Sequence, residues 1–214
     1  MSFVVIDGLD GSGKGTQVKL LINHFKKNNI LFEFIKSPNY KTPIGEAYRR
    51  YLDGGFEMKT DSVFLLVASD VIMNKPMIEK TTKEGKIILA ERYITSTIAF
   101  QSANGFPYKK ALKLVELMEY PKADLIIFID VKPEIGVKRK FDQEGKLDRH
   151  EKDLGFLRKV REFYFKEIKE NVLGKWIVIN GEKSKEEVHK EILKFINPYL
   201  KTINEKDEKK DFKG

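Results

Sequence analysis

Near its start the chain reads Gly8-Leu9-Asp10-Gly11-Ser12-Gly13-Lys14-Gly15-Thr16, directly after the apolar run Phe3-Val4-Val5-Ile6. A glycine-rich loop between a strand and a helix is typical of a P-loop, whose backbone N–H groups converge on a phosphate. The helix is indicated by apolar residues recurring at helical spacing, namely Val18, Leu21, Ile22 and Phe25. The sequence therefore predicts a nucleotide phosphate site, and a turn that binds nothing is the disfavoured alternative.

The loop departs from the usual pattern at one position. Lys14 stands where a P-loop lysine reaches the β- and γ-phosphates. The next residue is normally Ser or Thr, whose hydroxyl contacts Mg²⁺, but here it is Gly15, and Thr16 follows it. We expect the loop from Gly8 to Thr16 to hold ATP, with Thr16 as the candidate hydroxyl ligand of the metal.

Length and composition favour one domain. The chain has 214 residues, of which 41% are hydrophobic, enough for a single α/β core. No apolar run approaches the roughly 18 residues of a membrane span, and the N-terminus lacks the pattern of a secretory signal, so we expect a cytoplasmic protein and no membrane partner. The absence of cysteine excludes disulfides and thiolate metal sites.

The net charge of +8 raises the question of a nucleic-acid partner. A lysine-rich surface with a pocket that neutralises phosphates explains the same charge, and we favour this interpretation. The C-terminal segment agrees with it, because acids and bases alternate there: Glu205, Lys206, Asp207, Glu208, Lys209, Lys210, Asp211 and Lys213. We expect a single domain over residues 1–201 and a charged, disordered tail over residues 202–214.

Four further short apolar runs have the composition of buried parallel strands, and helical patterns separate them. They are Leu31 to Ile35, Ile87 to Ala90, Leu125 to Ile129 and Trp176 to Ile179. Alternating strands and helices predict a three-layer α/β/α fold around a five-stranded parallel sheet, with a last helix that stops at Pro198. Ligands bind at the carboxyl ends of such strands, so the polar residues there are site candidates: Asp7, Lys36, Ser37, Glu91, Arg92, Asp130 and Asn180.

Glu91 and Arg92 place a carboxylate and a guanidinium at the end of a buried strand, where charges without partners are costly. A structural ion pair is one interpretation. Beside a P-loop the functional interpretation is stronger, because Arg92 offers a planar fork suited to a phosphate. In this interpretation, Glu91 orients Mg²⁺ through a water molecule or holds the P-loop lysine, Lys14.

With the motifs further along, the sequence resembles the thymidylate kinases, a family of P-loop nucleoside monophosphate kinases. The resemblance spans most of the chain, from the P-loop to the segment Asn180-Gly181-Glu182-Lys183-Ser184. Between these ends lie similar segments in the family's order: Ser37-Pro38-Asn39-Tyr40, Pro43-Ile44-Gly45, Tyr51-Leu52, Glu91-Arg92-Tyr93, Ala99-Phe100-Gln101, Pro133-Glu134, Lys138-Arg139 and Leu147-Asp148-Arg149-His150-Glu151.

This resemblance implies transfer of the γ-phosphoryl group of ATP to a deoxynucleoside monophosphate, with dTMP as the expected acceptor and Mg²⁺ as the cofactor. It implies that Lys14 and the loop amides hold ATP, with Asn180 and Gly181 on the adenine side. Arg92 and Lys36 would clamp the acceptor phosphate. Asp10 would contact the acceptor's sugar hydroxyl or a water bound to Mg²⁺, so that Thr16, Glu91 and Asp10 are the candidate metal contacts.

Residues 138–154 are similar to the family's lid, a loop that closes over the phosphates. Some relatives carry a catalytic arginine in the P-loop, at the position of Gly11 here, so the positive charge should come from the lid. Arg139 and Arg149 are the candidates. Relatives often have further arginines between these two, where this chain has Lys140-Phe141-Asp142-Gln143-Glu144, so the choice of lid residue stays open.

The chain differs from the family where the base is read. The family stacks an aromatic ring on its pyrimidine and reaches the base with an arginine, and these positions fall on Val67 and Val71. Both valines also fit ordinary core packing. The acceptor-site residues implied by the resemblance are Lys36, Val67, Val71, Arg92, Ser96, Thr97, Phe100 and Gln101. Phe64 and Asp70 are further acceptor-site candidates, because they lie on the same helix and could compensate for the missing ring and arginine.

These departures leave alternatives to a dTMP kinase. One alternative is a kinase for another nucleotide or nucleoside acceptor, because Val67 and Val71 do not specify thymine. A protein of another class, a nucleotide-binding regulator or nucleic-acid-associated ATPase, is suggested more weakly by the net charge and by Gly15. The resemblance also implies a homodimer formed through helices near the acceptor site.

Overall fold

The computed structural model describes residues 3–211, without the side chains of Tyr199 and of residues 201–211. One sheet of five parallel strands forms the centre, in the spatial order β2-β3-β1-β4-β5. The strands are β1 (Phe3–Gly8), β2 (Phe32–Lys36), β3 (Ile87–Glu91), β4 (Ala123–Asp130) and β5 (Gly174–Asn180). Each of the five apolar runs lies in a strand to within one residue, so the predicted parallel sheet is confirmed.

Helices cover both faces of the sheet. They are α1 (Lys14–Lys27), α2 (Pro43–Leu52), α3 (Thr60–Ile72), α4 (Lys75–Lys83), α5 (Ile94–Ala103), α6 (Tyr108–Leu117), α7 (Pro133–Glu144), α8 (Leu154–Glu170) and α9 (Lys185–Asp211). Buried residues of α1 and α9 pack on one face, and those of α3, α4, α5, α6 and α8 pack on the other. The three-layer α/β/α architecture is therefore confirmed.

The central strand β1 is buried on both faces, which explains its continuous apolar sequence. Val5 pairs in register with Ala90 of β3 and Ile126 of β4. Its side chain and those of its neighbours contribute to the two core layers on alternate sides of the sheet. Burial of apolar surface on both faces stabilises this arrangement.

The prediction of a helix stop at Pro198 was wrong. Helix α9 continues through Pro198 to Asp211, so its bounds take in residues 202–211 of the segment for which the sequence predicts disorder. Ile196 and Leu200 are buried on either side of the proline, and their packing favours continuation despite the backbone hydrogen bond that proline cannot make. Residues 212–214 lie outside the described residues. None of the helices within residues 3–211 has the length and apolar character to cross a membrane.

The carboxyl ends of the strands meet at one edge of the sheet. The registers place Ile6 and Lys36 beside Glu91, and Asp130 beside Asn180. Arg161 of α8 donates two hydrogen bonds of 2.7 Å to the Asp130 carboxylate, which gives Asp130 a structural role. Glu91 lies beside Gly15 of the P-loop, as expected for a strand end in a parallel sheet.

Candidate active site

The P-loop connects β1 to α1 through a backbone that only glycine adopts readily. Gly13, the residue before the helix, has a left-handed φ of 95° and provides no side-chain cap. The first N–H groups of α1 are thus left for another partner, and the helix dipole makes that end favourable for an anion. This geometry agrees with the predicted phosphate site.

Gly11 is required for a different reason. A Cβ atom at Gly11 would lie 2.0 Å from the carbonyl oxygen of Gly136 in α7, and one at Gly136 would lie 2.5 Å from the carbonyl oxygen of Asp10. The backbone of α7 therefore rests directly on the P-loop, with no room for a side chain between them. An arginine at position 11 is incompatible with this contact, so the chain must supply positive charge from elsewhere.

Lys14 is folded back onto its own loop. Its Nζ donates a 2.7 Å hydrogen bond to the carbonyl oxygen of Leu9 and lies 3.8 Å from Oδ1 of Asp10. Burial and the charge of Arg92 lower the pKa of Lys14 to about 8, although neighbouring carboxylates raise it. A buried ammonium group with weak anionic partners is suited to receive phosphate oxygens.

Arg92 connects the P-loop to the neighbouring cavity. It has a left-handed φ of 66°, which is uncommon outside glycine and marks a strained backbone. Its Nη2 donates to Asp10 at 2.7 Å, and its Nη1 lies 3.3 Å from Ser96 Oγ. The guanidinium also lies 5.0 Å from the centroid of the Phe100 ring. These contacts orient the planar fork beside the P-loop.

The neighbours of Asp10 favour its charged form. Burial by itself raises the pKa of a carboxyl, but the charges of Arg92 and Lys14 hold the pKa of Asp10 well below its usual range.

Asp7, at the end of β1, is the buried centre of this network. Its carboxylate accepts hydrogen bonds from Thr95 and Ser96 of α5 at 2.8 and 2.7 Å. It also accepts one from Tyr164 of α8 at 2.7 Å and one from its neighbour, the N–H of Gly8, at 2.8 Å. The sequence indicates that Asp7 lies at a strand end but gives no role for it, because its hydrogen-bond partners in α5 and α8 lie about 90 and 157 residues away.

Glu91 and Lys36 form an ion pair of 3.1 Å at the ends of β3 and β2. A Cβ atom at Gly15 would lie 3.8 and 3.9 Å from the two carboxylate oxygens of Glu91. The space that a Ser or Thr side chain would enter in an ordinary P-loop is therefore open beside a carboxylate. Thr16 lies on the exposed surface of α1.

Oxygen ligands for a metal are present, but no dedicated metal cage is formed by the residues that the structure describes, where no group of three or more His, Cys, Asp or Glu side chains is suitable for one. Mg²⁺ is usually bound by one or two carboxylates together with substrate phosphates and water. Glu91, facing the open space at Gly15, and Asp10, beside Lys14, fit that donor set.

A cavity lies beside the P-loop, between β3, α2, α3, α5 and the segment after α7. Eleven of the predicted site residues line it: Asp10, Lys36, Ser37, Val67, Val71, Glu91, Arg92, Ser96, Thr97, Phe100 and Gln101. Its lining also contains residues not named as site candidates: Tyr40, Tyr48, Arg49, Leu52, Lys140, Asp148, His150 and Glu151. The lining combines charged side chains with the apolar side chains of Val67 and Val71.

Two residues expected at the acceptor site do not line this cavity. Phe64 is buried in the core, where its ring stacks on Phe106 with 4.2 Å between centroids. Asp70 accepts hydrogen bonds from the N–H of Asn39 at 3.0 Å and from Thr42 Oγ1 at 3.2 Å. Asp70 therefore fixes the loop between β2 and α2, and helix α3 turns Val67 and Val71 into the cavity instead.

The two lid arginines also lie outside the cavity lining. Arg139 donates a hydrogen bond of 2.8 Å to the carbonyl oxygen of Gly181. Arg149 forms a double hydrogen bond with Glu57 at 2.6 and 2.9 Å and covers the ring of Tyr51. Lys140, the neighbour of Arg139, is the lid cation that lines the cavity.

The predicted adenine-side loop is near the P-loop. A Cβ atom at Gly181 would lie 3.1 Å from the carbonyl oxygen of Ser12, so the two loops are in close contact. Asn180 accepts a 2.8 Å hydrogen bond from the N–H of Glu182, which fixes the turn after β5. The structure thus brings the two segments assigned to ATP together at one edge of the sheet.

Comparison with known proteins agrees with this geometry. The family model for thymidylate kinase matches residues 6–192. A thymidylate kinase from Fervidobacterium nodosum is 31% identical over 201 residues, covering 92% of this chain and all of the relative. Probable thymidylate kinases from Pyrobaculum aerophilum and Caldivirga maquilingensis are 36% and 32% identical, covering 92% and 78% of this chain and 96% and 81% of those relatives. The chain belongs to the thymidylate kinase family.

Proposed function

We propose that this enzyme transfers the γ-phosphoryl group of ATP to the phosphate of dTMP, giving ADP and dTDP. The observation that carries the proposal is the position of Arg92, which joins the P-loop through Asp10 to the cavity lined by Lys36 and Gln101. A donor held by the P-loop and an acceptor held in the cavity would meet at this guanidinium. The names of the relatives support dTMP, and none of them supports the alternative acceptors or a nucleic-acid-associated ATPase.

In the proposed reaction, an oxygen of the acceptor phosphate attacks the γ-phosphorus of ATP, and the bond from that phosphorus to the β-phosphate oxygen breaks. The attacking oxygen is already anionic, so the enzyme needs chiefly to position the groups and neutralise their charge. Lys14 and the loop amides hold the donor phosphates. Arg92 and Lys36 hold the acceptor phosphate, with Ser96 fixing the guanidinium of Arg92.

Mg²⁺ belongs to the same proposal. When bound with ATP, the ion neutralises charge on the phosphate oxygens. We assign its protein contacts to Glu91 and Asp10, directly or through water, because the open space at Gly15 adjoins the Glu91 carboxylate. Thr16 stays a candidate from the sequence without a supporting contact.

The apolar side chains of the cavity lining would receive the base. Val67 and Val71 offer packing surface, while Thr97 and Gln101 offer the hydrogen-bonding groups. Neither the Nε2 nor the Oε1 atom of Gln101 has a hydrogen-bond partner, although both are buried. A buried amide without partners is costly and is satisfied by a ligand with a complementary polar edge. A pyrimidine has such an edge.

We further propose a lid over residues 138–154, a homodimer, and a location in the cytoplasm. The lid segment supplies Asp148, His150 and Glu151 to the cavity wall. For the homodimer, the supporting feature is the outer surface of α3, where Leu65 is 56% exposed while Val67 lines the cavity. The cytoplasmic location stays a prediction of the sequence.

The decisive experiment measures ADP formation from ATP with each common nucleoside monophosphate at equal concentration. We expect the largest kcat/KM with dTMP. We expect Lys14→Ala and Arg92→Ala to lose on the order of 100-fold or more in activity, because each removes a charge from the phosphates. A wild-type enzyme that no monophosphate stimulates would contradict the proposal, and full activity in both variants would contradict the site.

A further inference from the structure

The P-loop lacks a side chain at Gly11, and both lid arginines are engaged elsewhere. Arg139 is bound to the carbonyl oxygen of Gly181, and Arg149 is paired with Glu57. Neither lines the cavity. The candidates for a further cation near the transferred phosphoryl group are therefore the other basic residues of the lid segment, of which Lys140 lines the cavity.

The contact between α7 and the P-loop determines which residue this is. Gly136 rests on the backbone of Asp10 and Gly11, so its face of the helix points at the P-loop. Residues four apart share a helix face, which places Lys140 about one turn further along the same face, about 6 Å beyond the contact. Lys140 lines the cavity together with Asp10 and Arg92, as this helix phase requires.

Carboxylates of the lid hold Lys140 in its present position. Its Nζ donates a short hydrogen bond to Glu144 and lies 3.8 Å from Oε1 of Glu151. Burial alone would lower the pKa of Lys140, but these carboxylates and the charge of Asp10 raise it, so the side chain carries a full positive charge. About a fifth of the side chain is exposed, which leaves it room to change partners.

We propose that Lys140 is the lid cation that contacts the γ-phosphoryl group of ATP during transfer, and that Glu144 and Glu151 hold it until the phosphates displace them. Phosphate oxygens compete well with carboxylates for an ammonium group because they carry more charge. This inference rests on the proposed kinase activity for its role in catalysis, but contact with the γ-phosphate is testable by binding alone.

The test compares Lys140→Met with Lys138→Met, which removes an exposed lysine from the same helix. We expect Lys140→Met to lower kcat for dTMP on the order of 100-fold and to weaken ATP binding about 10-fold. ADP binding should change little, because ADP lacks the γ-phosphate. Lys138→Met should change none of these quantities by more than about 2-fold. Lys140→Arg keeps the charge and should recover much of the lost rate.

A second variant tests the proposal that Glu144 holds Lys140 until ATP binds. Glu144→Gln removes the charge of the closest partner of Lys140, so ATP should bind more tightly than to the wild type. Weaker ATP binding in Glu144→Gln would overturn the role given to this carboxylate.

The outcomes separate the two proposals. If dTMP is not phosphorylated by the wild type, the proposed function fails, and the ratio of ATP to ADP affinity in Lys140→Met still decides the role of Lys140. If that ratio is unchanged, or if Arg139→Met or Arg149→Met produces the losses and Lys140→Met does not, the inference about Lys140 is wrong.

Discussion

At the scale of single residues, Lys14 has a charge that depends on what the P-loop holds. With its pKa lowered to about 8, its ammonium group is charged below that pH and loses its proton above it. Bound phosphates favour the charged form, so ATP binding should raise this pKa and take up a proton near pH 8. We expect ATP affinity to fall as the pH rises through about 8.

Calorimetry measures this proton directly when ATP is titrated at pH 8 in buffers with different ionisation enthalpies. Lys14→Arg is the matched variant, because arginine stays charged over the whole pH range. The proton uptake that accompanies ATP binding should therefore disappear in this variant. Equal proton uptake in wild type and variant would show that Lys14 does not titrate in this range.

Glu167 of α8 is a second buried ionisable residue, and neither carboxyl oxygen has a hydrogen-bond partner. Burial, with the charges of Asp7 and Glu170, raises its pKa well above the ordinary value. The folded protein therefore keeps this proton at pH values where the unfolded chain has lost it. The resulting stability is present below pH 4.5 and is lost as the pH rises from there toward the folded-state pKa, at up to about 1.4 kcal/mol per pH unit.

Glu167→Gln removes this dependence. We expect the free energy of unfolding of the variant, relative to wild type, to be higher at pH 8 than at pH 4.5. Denaturant titrations at the two pH values measure the difference, with the exposed Glu162→Gln as the control. A relative stability that is the same at both pH values would mean that Glu167 is ionised in the folded protein.

At the scale of elements, the contact between α7 and the P-loop sets the geometry of the lid. Gly136→Ala would place a Cβ atom 2.5 Å from the carbonyl oxygen of Asp10, and backbone cannot move as easily as a side chain. We expect a loss of about 1–3 kcal/mol in the free energy of unfolding. Gly15→Ala, in α1, meets only ordinary contacts and should leave stability unchanged or raise it. Denaturant unfolding compares the two, and equal stability would contradict the close contact.

Much of the fold was predictable because buried parallel strands read as continuous apolar runs, and all five runs became strands. The P-loop and the polar residues at the strand ends were predictable for a similar reason, since topology brings those ends together. The continuation of α9 through Pro198 was not predictable, because it depends on the packing of Ile196 and Leu200. Local sequence does not contain that tertiary contribution.

The site was less predictable where helix phase decides which side chain enters the cavity. Phe64 and Asp70 lie on the same helix as Val67 and Val71, but one is in the core and the other binds a loop. Lys140 was missed for the same reason, because one lysine in a charged segment looks like any surface lysine. Its direction follows from the contact between Gly136 and Gly11, which joins residues 125 positions apart.

At the scale of the whole molecule, the exposed apolar surface of α3 leads to a prediction about assembly. We expect a homodimer that Leu65→Glu dissociates, because a charge in an apolar interface is costly to bury. Sedimentation equilibrium measures the mass of both proteins. Leu117→Glu, at the end of α6, is the control, since Leu117 is 77% exposed and belongs to a different helix. A wild type that is monomeric at all concentrations would contradict the dimer.

The hydrogen bond from Tyr164 to Asp7 joins residues 157 positions apart, and so has a consequence for synthesis on the ribosome. While a chain shorter than 164 residues emerges, the Asp7 carboxylate lacks one of its partners, and a buried carboxylate with too few donors disfavours closure of the core around it. Nascent chains of that length thus lack one of the four hydrogen bonds that hold the carboxylate directly before the P-loop. We infer that competence to bind nucleotide is acquired late in translation, after helix α8 has left the exit tunnel.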